Sequence, residues 1–214
     1  MIRTGIASVE KLLDANTYQA YYEKVPGWRK EKADRVKFQS DKALSIGAWI
    51  LYERLRVQWD VPEHAVYNLS HSGNYALCSL DTEAAAERKI GCDIERPGKY
   101  QDEIARRFFT DAEYAHILSG EDEAARGEYF YRLWVLKESY VKARRVGLSL
   151  GLDNFEIGFS KVDKPYMQKD STGNKEPYYF LEYAYRPEAG KIAVCSNSPD
   201  FATDMNTIEI VKGE

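Results

Sequence analysis

Helices, then strands, then helices, then strands again: this order of elements predicts an α+β fold made of two similar halves of the 214-residue chain. Two further observations point the same way. The segment Tyr75-Ala76-Leu77-Cys78-Ser79 is echoed by Ile192-Ala193-Val194-Cys195-Ser196, each late in its half. No Pro/Gly-rich linker separates the halves, so residues 1–97 and 98–214 are expected to pack tightly as one unit with a cleft between them. The echo does not by itself establish a duplication, because buried strands reuse a small apolar alphabet in any protein.

Residues 10–24 read as a short helix ending before Pro26, and 28–56 as one long helix, basic in its first part and apolar in its second. The apolar runs 65–69 and 75–80 flank Ser70-His71-Ser72-Gly73-Asn74, a hairpin signal. Residues 90–95 (IGCDIE) read as a strand that ends before Pro97-Gly98. Helices follow near 101–118 and 122–145, then strands at 152–160, 178–185 and 190–196, with a polar, mobile loop expected over 161–177.

Composition sets bounds. Charged residues make up 30% and apolar ones 44%, as in an ordinary globular protein. A formal net charge of −4 argues against a general nucleic-acid binder. The N-terminal segment shows no signal-peptide pattern, and no stretch approaches the roughly 20 apolar residues that span a bilayer. Cys78, Cys92 and Cys195 lie in apolar segments without CxxC spacing, which reads as reduced thiols of a cytoplasmic protein packed as small hydrophobes.

The chemistry concentrates in two segments. In the strand 90–95, Asp93 and Glu95 stand at i, i+2 and share a face with Gly91, which leaves room there for something bulky and charged. Acids are depleted in strands, so two on one face need either solvent or a cation. In the helix around 128–145, Glu138 and Lys142 stand at i, i+4 at the edge of a wide apolar arc. Taken alone, they are an ordinary surface pair. Together, three acids and a lysine suggest Mg²⁺, which favours one or two carboxylates plus substrate phosphates. Lys137 falls inside the apolar arc, where it can snorkel or serve a ligand. The turn after the first hairpin strand offers backbone N–H groups, Ser70 and His71 to an anion, although a lone histidine there is more often only a turn residue. The basic run Arg29, Lys30, Lys32, Arg35, Lys37, Lys42 reads first as a solvated face and second as a set of phosphate clamps.

These pieces together resemble the Sfp-type 4′-phosphopantetheinyl transferases. The family's Gly-x-Asp-x-Glu strand stands as Gly91-Cys92-Asp93-Ile94-Glu95, and about forty residues later its Trp-x-x-Lys-Glu-Ser-x-x-Lys stands as Trp134 to Lys142. Its Asn-x-Ser-His-Ser-Gly segment is Asn68 to Gly73. Arg107-Phe108-Phe109, Tyr129-Phe130-Tyr131-Arg132-Leu133-Trp134 and Gly-Leu-Ser-Leu at 147–150 match as well. The resemblance runs from about residue 28 to about 201. It implies a pseudo-dimer of two α+β halves in a single monomeric chain, with coenzyme A in the cleft. It implies transfer of the 4′-phosphopantetheine arm of coenzyme A to a serine of an acyl or peptidyl carrier protein, releasing 3′,5′-adenosine bisphosphate. It implies Mg²⁺ on Asp93, Glu95 and Glu138, with Glu138 also a candidate general base. Lys142 and Asp93 would serve the diphosphate, while Ser70, His71 and Lys42 would contact the coenzyme A phosphates.

Two departures from the family pattern stand out. Arg54 to Val66 is short and lacks the Gly-Lys-Pro loop whose lysine helps hold the nucleotide, and Leu44 stands where many relatives carry arginine. The adenosine end should therefore be held by fewer cations, and 3′-dephospho-coenzyme A should serve nearly as well as coenzyme A. Two rival readings remain at this level. One is another Mg²⁺ phosphoryl-transfer enzyme, against which the lack of a P-loop counts. The other is a diverged relative that binds carrier proteins without modifying them.

Overall fold

A computed structural model describes residues 1–211 of the chain, so the last three residues of the second half lie outside the described part. The structure begins with a strand absent from the sequence reading, β1 (Ile2–Ser8). Its polar residues mask the pattern: Thr4 is fully buried, and its hydroxyl is satisfied by that of Ser79 at 2.8 Å. A 3₁₀ turn at Glu10–Leu13 leads to α1 (Ala15–Tyr22), whose N-cap Asp14 accepts from the Thr17 amide at 2.9 Å. The continuous helix expected over 28–56 is two helices, α2 (Gly27–Asp34) and α3 (Gln39–Gln58). The chain leaves the helical region at Phe38 (φ −90°, ψ 142°), which turns the basic segment away from the axis of α3.

The hairpin is β2 (Tyr67–Ser72) and β3 (Tyr75–Asp81). Ser70, His71 and Ser72, read from sequence as turn residues, belong to β2. The turn is only Gly73-Asn74, with Gly73 at φ +57°. Next come β4 (Ile90–Glu95), α4 (Asp102–Phe108), α5 (Asp111–Leu118) and α6 (Glu123–Arg144). Thr110 and Glu113 form a capping box on α5, and α6 is capped by Asp122 and ends at Arg145 in a left-handed conformation. The remaining strands are β5 (Phe155–Phe159), β6 (Pro165–Asp170), β7 (Tyr179–Tyr183), β8 (Lys191–Ser196) and β9 (Asn206–Thr207). Strand β6 lies inside the segment read as loop, where it pairs with β5.

Two sheets carry the architecture, ordered β2-β3-β1-β9 and β4-β8-β7, beside the β5-β6 pair. The two echoed segments, β3 and β8, hold corresponding places: each has a partner strand on both sides. Strand β4 precedes residue 97 yet pairs along its whole length with β8, from Ile90↔Ser196 to Glu95↔Lys191. The second sheet thus takes a strand from each side of that point.

Helix α3 covers the first sheet and α6 the second. A third core cluster joins Ile2, Ile6 and Leu77 of the first sheet to Ile90, Cys92, Ile94, Ile192 and Val194 of the second, so the two halves share one interior. Their edges meet as well. Asn68, Ser70 and Ser72 alternate along β2 and all face β4. The Asn68 side chain accepts from the Cys92 amide at 2.9 Å. Ser72 Oγ accepts from the Arg96 amide at 3.0 Å. Side chains of one sheet thereby satisfy backbone groups at the edge of the other. The three cysteines are buried and unbridged. Among the described residues no helix is long and apolar enough to cross a membrane.

Candidate active site

The site forms where α6 lies on β4, and glycine makes that approach possible. A Cβ on Gly91 would run into the Ser139 carbonyl oxygen and the Ala143 amide nitrogen, which are backbone atoms of α6 that cannot turn aside. The sequence reading gave the space at Gly91 to a ligand; the structure gives it to the helix. The close contact sets Glu138 and Lys142 beside Asp93, the next residue on the same face of β4.

Asp93 is 3% exposed. Its Oδ1 accepts from Lys142 Nζ at 2.5 Å and from Ser70 Oγ at 2.8 Å, and Lys142 also donates to Ser70 Oγ at 3.0 Å. Its Oδ2 is buried with no hydrogen-bond partner among the described residues. A carboxylate oxygen in that condition is costly unless something positive meets it. Glu95 accepts from Ser72 Oγ at 3.0 Å. Burial is the main reason that the carboxyls of Asp93, Glu95 and Glu138 all titrate above their ordinary values. The charge of Asp93 pushes the other two further up. Burial alone would lower the Lys142 ammonium, but Asp93, Cys92 and Glu138 outweigh it and hold its pKa above normal.

Among the described residues no three His, Cys, Asp or Glu side chains stand together at metal-holding spacing. In this arrangement it is Lys142 that sits on the innermost acid. The donor set nevertheless suits a hard cation: oxygen ligands only, one of them a buried carboxylate oxygen without a partner.

His71 points away from the β4 seam and is exposed at the rim. Surrounding protein, and then the charges of Lys142 and Lys32, hold its imidazole below the ordinary value. Lys42 lies half-buried in the first turn of α3 and hydrogen-bonds to none of the other predicted residues. Lys137 neither snorkels nor faces the site. It is fully buried, paired with Glu113 at 2.7 Å, and donates to the carbonyls of Leu152 and Phe155 at 2.7 and 2.6 Å.

One residue of the basic run is not a solvated face. Arg29 is 5% exposed, its guanidinium 4.8 Å from the Trp28 ring and 5.0 Å from that of Trp49. Its Nε has no partner, and among the described residues its side chain makes no hydrogen bond or ion pair. Burial lowers its pKa, and the Lys32 ammonium is lowered as well, first by the surrounding protein and then by the charge of Arg29. A buried cation without a carboxylate is the reciprocal of Asp93, and its unmet need is an anion. The sequence held a signal for it. Lys30 has Asp34 four residues on and Arg35 has Glu31 four residues back, whereas Arg29 has no acid at i±3 or i±4 and lies beside a tryptophan.

A carboxylate-lined seam with a lysine within it, and a buried arginine without a carboxylate, suit a ligand that carries several phosphates. Comparison with known proteins agrees: a family model of the 4′-phosphopantetheinyl transferase superfamily matches residues 89–195, half of the chain. The chain belongs to that superfamily. It is 36% identical over 149 residues to the 4′-phosphopantetheinyl transferase Sfp of Bacillus subtilis (strain 168), an alignment covering 70% of this chain and 62% of that protein. It is 33% identical over 147 residues to the L-aminoadipate-semialdehyde dehydrogenase-phosphopantetheinyl transferase of Homo sapiens, covering 63% of this chain and 46% of that protein. The chain thus matches about 62% of the length of its Bacillus subtilis relatives. Among solved structures, the holo-[acyl-carrier-protein] synthase of Neisseria meningitidis aligns with 50% of this chain and 95% of its own, at 18% identity and a TM-score of 0.43.

Proposed function

We propose that this chain transfers the 4′-phosphopantetheine arm of coenzyme A to a serine hydroxyl of an acyl or peptidyl carrier protein, with Mg²⁺, releasing 3′,5′-adenosine bisphosphate. The observation that carries this reading is the buried, unpartnered Oδ2 of Asp93 beside Lys142, in a superfamily member whose Gly-x-Asp-x-Glu and Trp-x-x-Lys-Glu-Ser-x-x-Lys motifs are intact.

Asp93, Glu95 and Glu138 would hold the Mg²⁺, which when bound supplies positive charge to the diphosphate. The residues of the chain account for the rest. Glu138, half-buried and with its pKa raised by burial, accepts the proton of the carrier serine as that oxygen attacks phosphorus. The phosphorus–oxygen bond to the adenosine bisphosphate breaks as the new one forms. Lys142 neutralises charge gathering on the diphosphate as that leaving group departs. Ser70 keeps Asp93 oriented, and His71 donates to a phosphate from the rim.

Arg29, with Lys32, holds a phosphate at the nucleotide end, supplying the charge that the absent Gly-Lys-Pro loop and Leu44 do not. This reverses the expectation that 3′-dephospho-coenzyme A would serve as well as coenzyme A. The halves 1–97 and 98–214 work as one unit, and the protein acts as a monomer in the cytoplasm. The shared third core and the reduced, buried cysteines support that reading. Sedimentation giving an obligate dimer at micromolar concentration would count against it. Incubating the chain with coenzyme A, Mg²⁺ and an apo carrier protein and then weighing the carrier tests the activity. An unchanged carrier mass would leave a carrier-binding relative without transferase activity. Activity on nucleoside triphosphates without coenzyme A would point to a different phosphoryl-transfer enzyme.

A further inference from the structure

Lys142 Nζ lies 2.5 Å from Asp93 Oδ1 and 3.0 Å from Ser70 Oγ, on the same carboxylate whose other oxygen lacks a partner. Its backbone cannot retreat, because α6 is pressed against β4 at Gly91. Its side chain can move. The stem has four rotatable carbons and the residue is 28% exposed, so the ammonium can swing towards solvent or an incoming anion without moving the helix. We propose that Lys142 is the resident counterion of the acid seam: it occupies Asp93 in the free protein and yields it only when a diphosphate arrives to take the ammonium.

The inference rests on the proposed metal site and adds an order to it. A divalent cation approaching Asp93 alone meets a positive charge already in contact with the carboxylate, and the repulsion in this buried seam is large. A cation arriving with a diphosphate meets none, because the lysine transfers to the phosphate oxygens. Metal should therefore bind the free protein weakly and the coenzyme-bound protein tightly. By linkage, metal should tighten coenzyme binding by the same factor. The arrangement also keeps the free protein intact without metal, since Asp93 is never left without a positive partner.

The test uses Mn²⁺ as the probe, with free ion measured by electron paramagnetic resonance at pH 8, on the wild type, Lys142→Met and Lys142→Gln. Calorimetric melting establishes that each variant is folded, and the glutamine variant keeps a neutral hydrogen bond to Asp93 if the methionine variant does not fold. Without coenzyme A, the neutral variants should bind Mn²⁺ at least about tenfold more tightly than wild type. Adding coenzyme A should tighten the wild type by at least about tenfold and the variants by much less. Adding Asp93→Asn to either variant should abolish the gain, which locates the ion. Equal affinities in wild type and variants, with coenzyme A acting alike on all, would overturn the counterion proposal and leave the metal reading standing. Absence of Mn²⁺ binding with or without coenzyme A, in every protein, would sink the metal reading and this proposal with it.

Discussion

Helix α6 carries two lysines into the interior, Lys137 and Lys142, and they meet opposite conditions. Five residues apart, they project about 140° from each other around the helix. Lys137 is sealed: its ammonium has Glu113 and two carbonyls, and Glu113 in turn accepts from the amides of Thr110 and Ile157 at 2.9 and 2.8 Å. Every polar atom of that pair is satisfied, and the pair ties α5, α6 and β5 together. Lys142 is open: it holds one oxygen of Asp93, leaves the other bare, and remains part-exposed. A closed buried pair has nothing left to offer a ligand, so its work is structural. An open pair keeps unmet electrostatic demand at one point, and that is what a binding site requires. The two lysines sit in one motif, so the motif alone does not separate their roles.

The sharpest way to break this comparison is to neutralise each carboxylate–lysine pair in turn. Asp93→Asn should lower transfer to a carrier protein at least about a thousandfold, followed by carrier mass, because it removes the carboxylate that pairs with Lys142 and is proposed to hold the metal. The melting temperature should stay within about 3 °C of wild type. Near-normal turnover in that variant would move the metal elsewhere. Lys137→Met should do the reverse. Leaving Glu113 buried and unpaired costs about 3–5 kcal/mol. For a chain of this size the melting temperature should then fall by roughly 6–20 °C, with turnover per folded molecule preserved. Loss of turnover at full stability would mean that Lys137 is not sealed.

Arg29 extends the comparison to a buried cation with no carboxylate at all. Arg29→Met should lower kcat/KM for coenzyme A by about 10–100-fold, the worth of a charged hydrogen bond. The loss should be much smaller with 3′-dephospho-coenzyme A as donor. Equal losses with both donors would assign Arg29 to some other group of the ligand.

The smallest effect is on stability against pH. Asp93, Glu95 and Glu138 all have carboxyl pKa values raised in the folded chain, chiefly by burial. Between the unfolded and folded pKa values the folded state holds more protons, so stability falls as pH rises through that window. Glu138→Gln removes one such group. The variant should melt about 1–3 °C above the metal-free wild type at pH 8, and the gain should vanish near pH 4, where the unfolded chain is itself largely protonated. A glutamine variant that melts below wild type at pH 8 would show that Glu138 is stabilised in the apo site rather than strained by it.

The placing of the acids and the lysine could be read from spacing. Asp93 and Glu95 at i, i+2, and Glu138 and Lys142 at i, i+4, have local geometry that any strand or helix provides, and β4 and α6 formed where the pattern put them. The Asn-x-Ser-x-Ser alternation was visible too, but not its use. As a turn it would offer an anion site; as strand β2 it faces β4 and stitches two sheets. That depends on which edge strand lies opposite, a contact between residues about 24 positions apart.

What the sequence by itself determined is therefore local: the strand that aims two acids one way, the helix that adds an acid and a lysine, and the apolar faces that order the elements into two α+β halves. What only the tertiary structure decided is which charges are satisfied. Lys137 and Lys142 are the same residue on the same helix, and Arg29 looks like its basic neighbours in a one-dimensional charge pattern. Burial and the presence or absence of an opposite charge across the fold assign their roles. Those depend on long-range contacts such as Lys142 to Asp93, Lys137 to Glu113 and Arg29 to Trp49, which no local periodicity encodes.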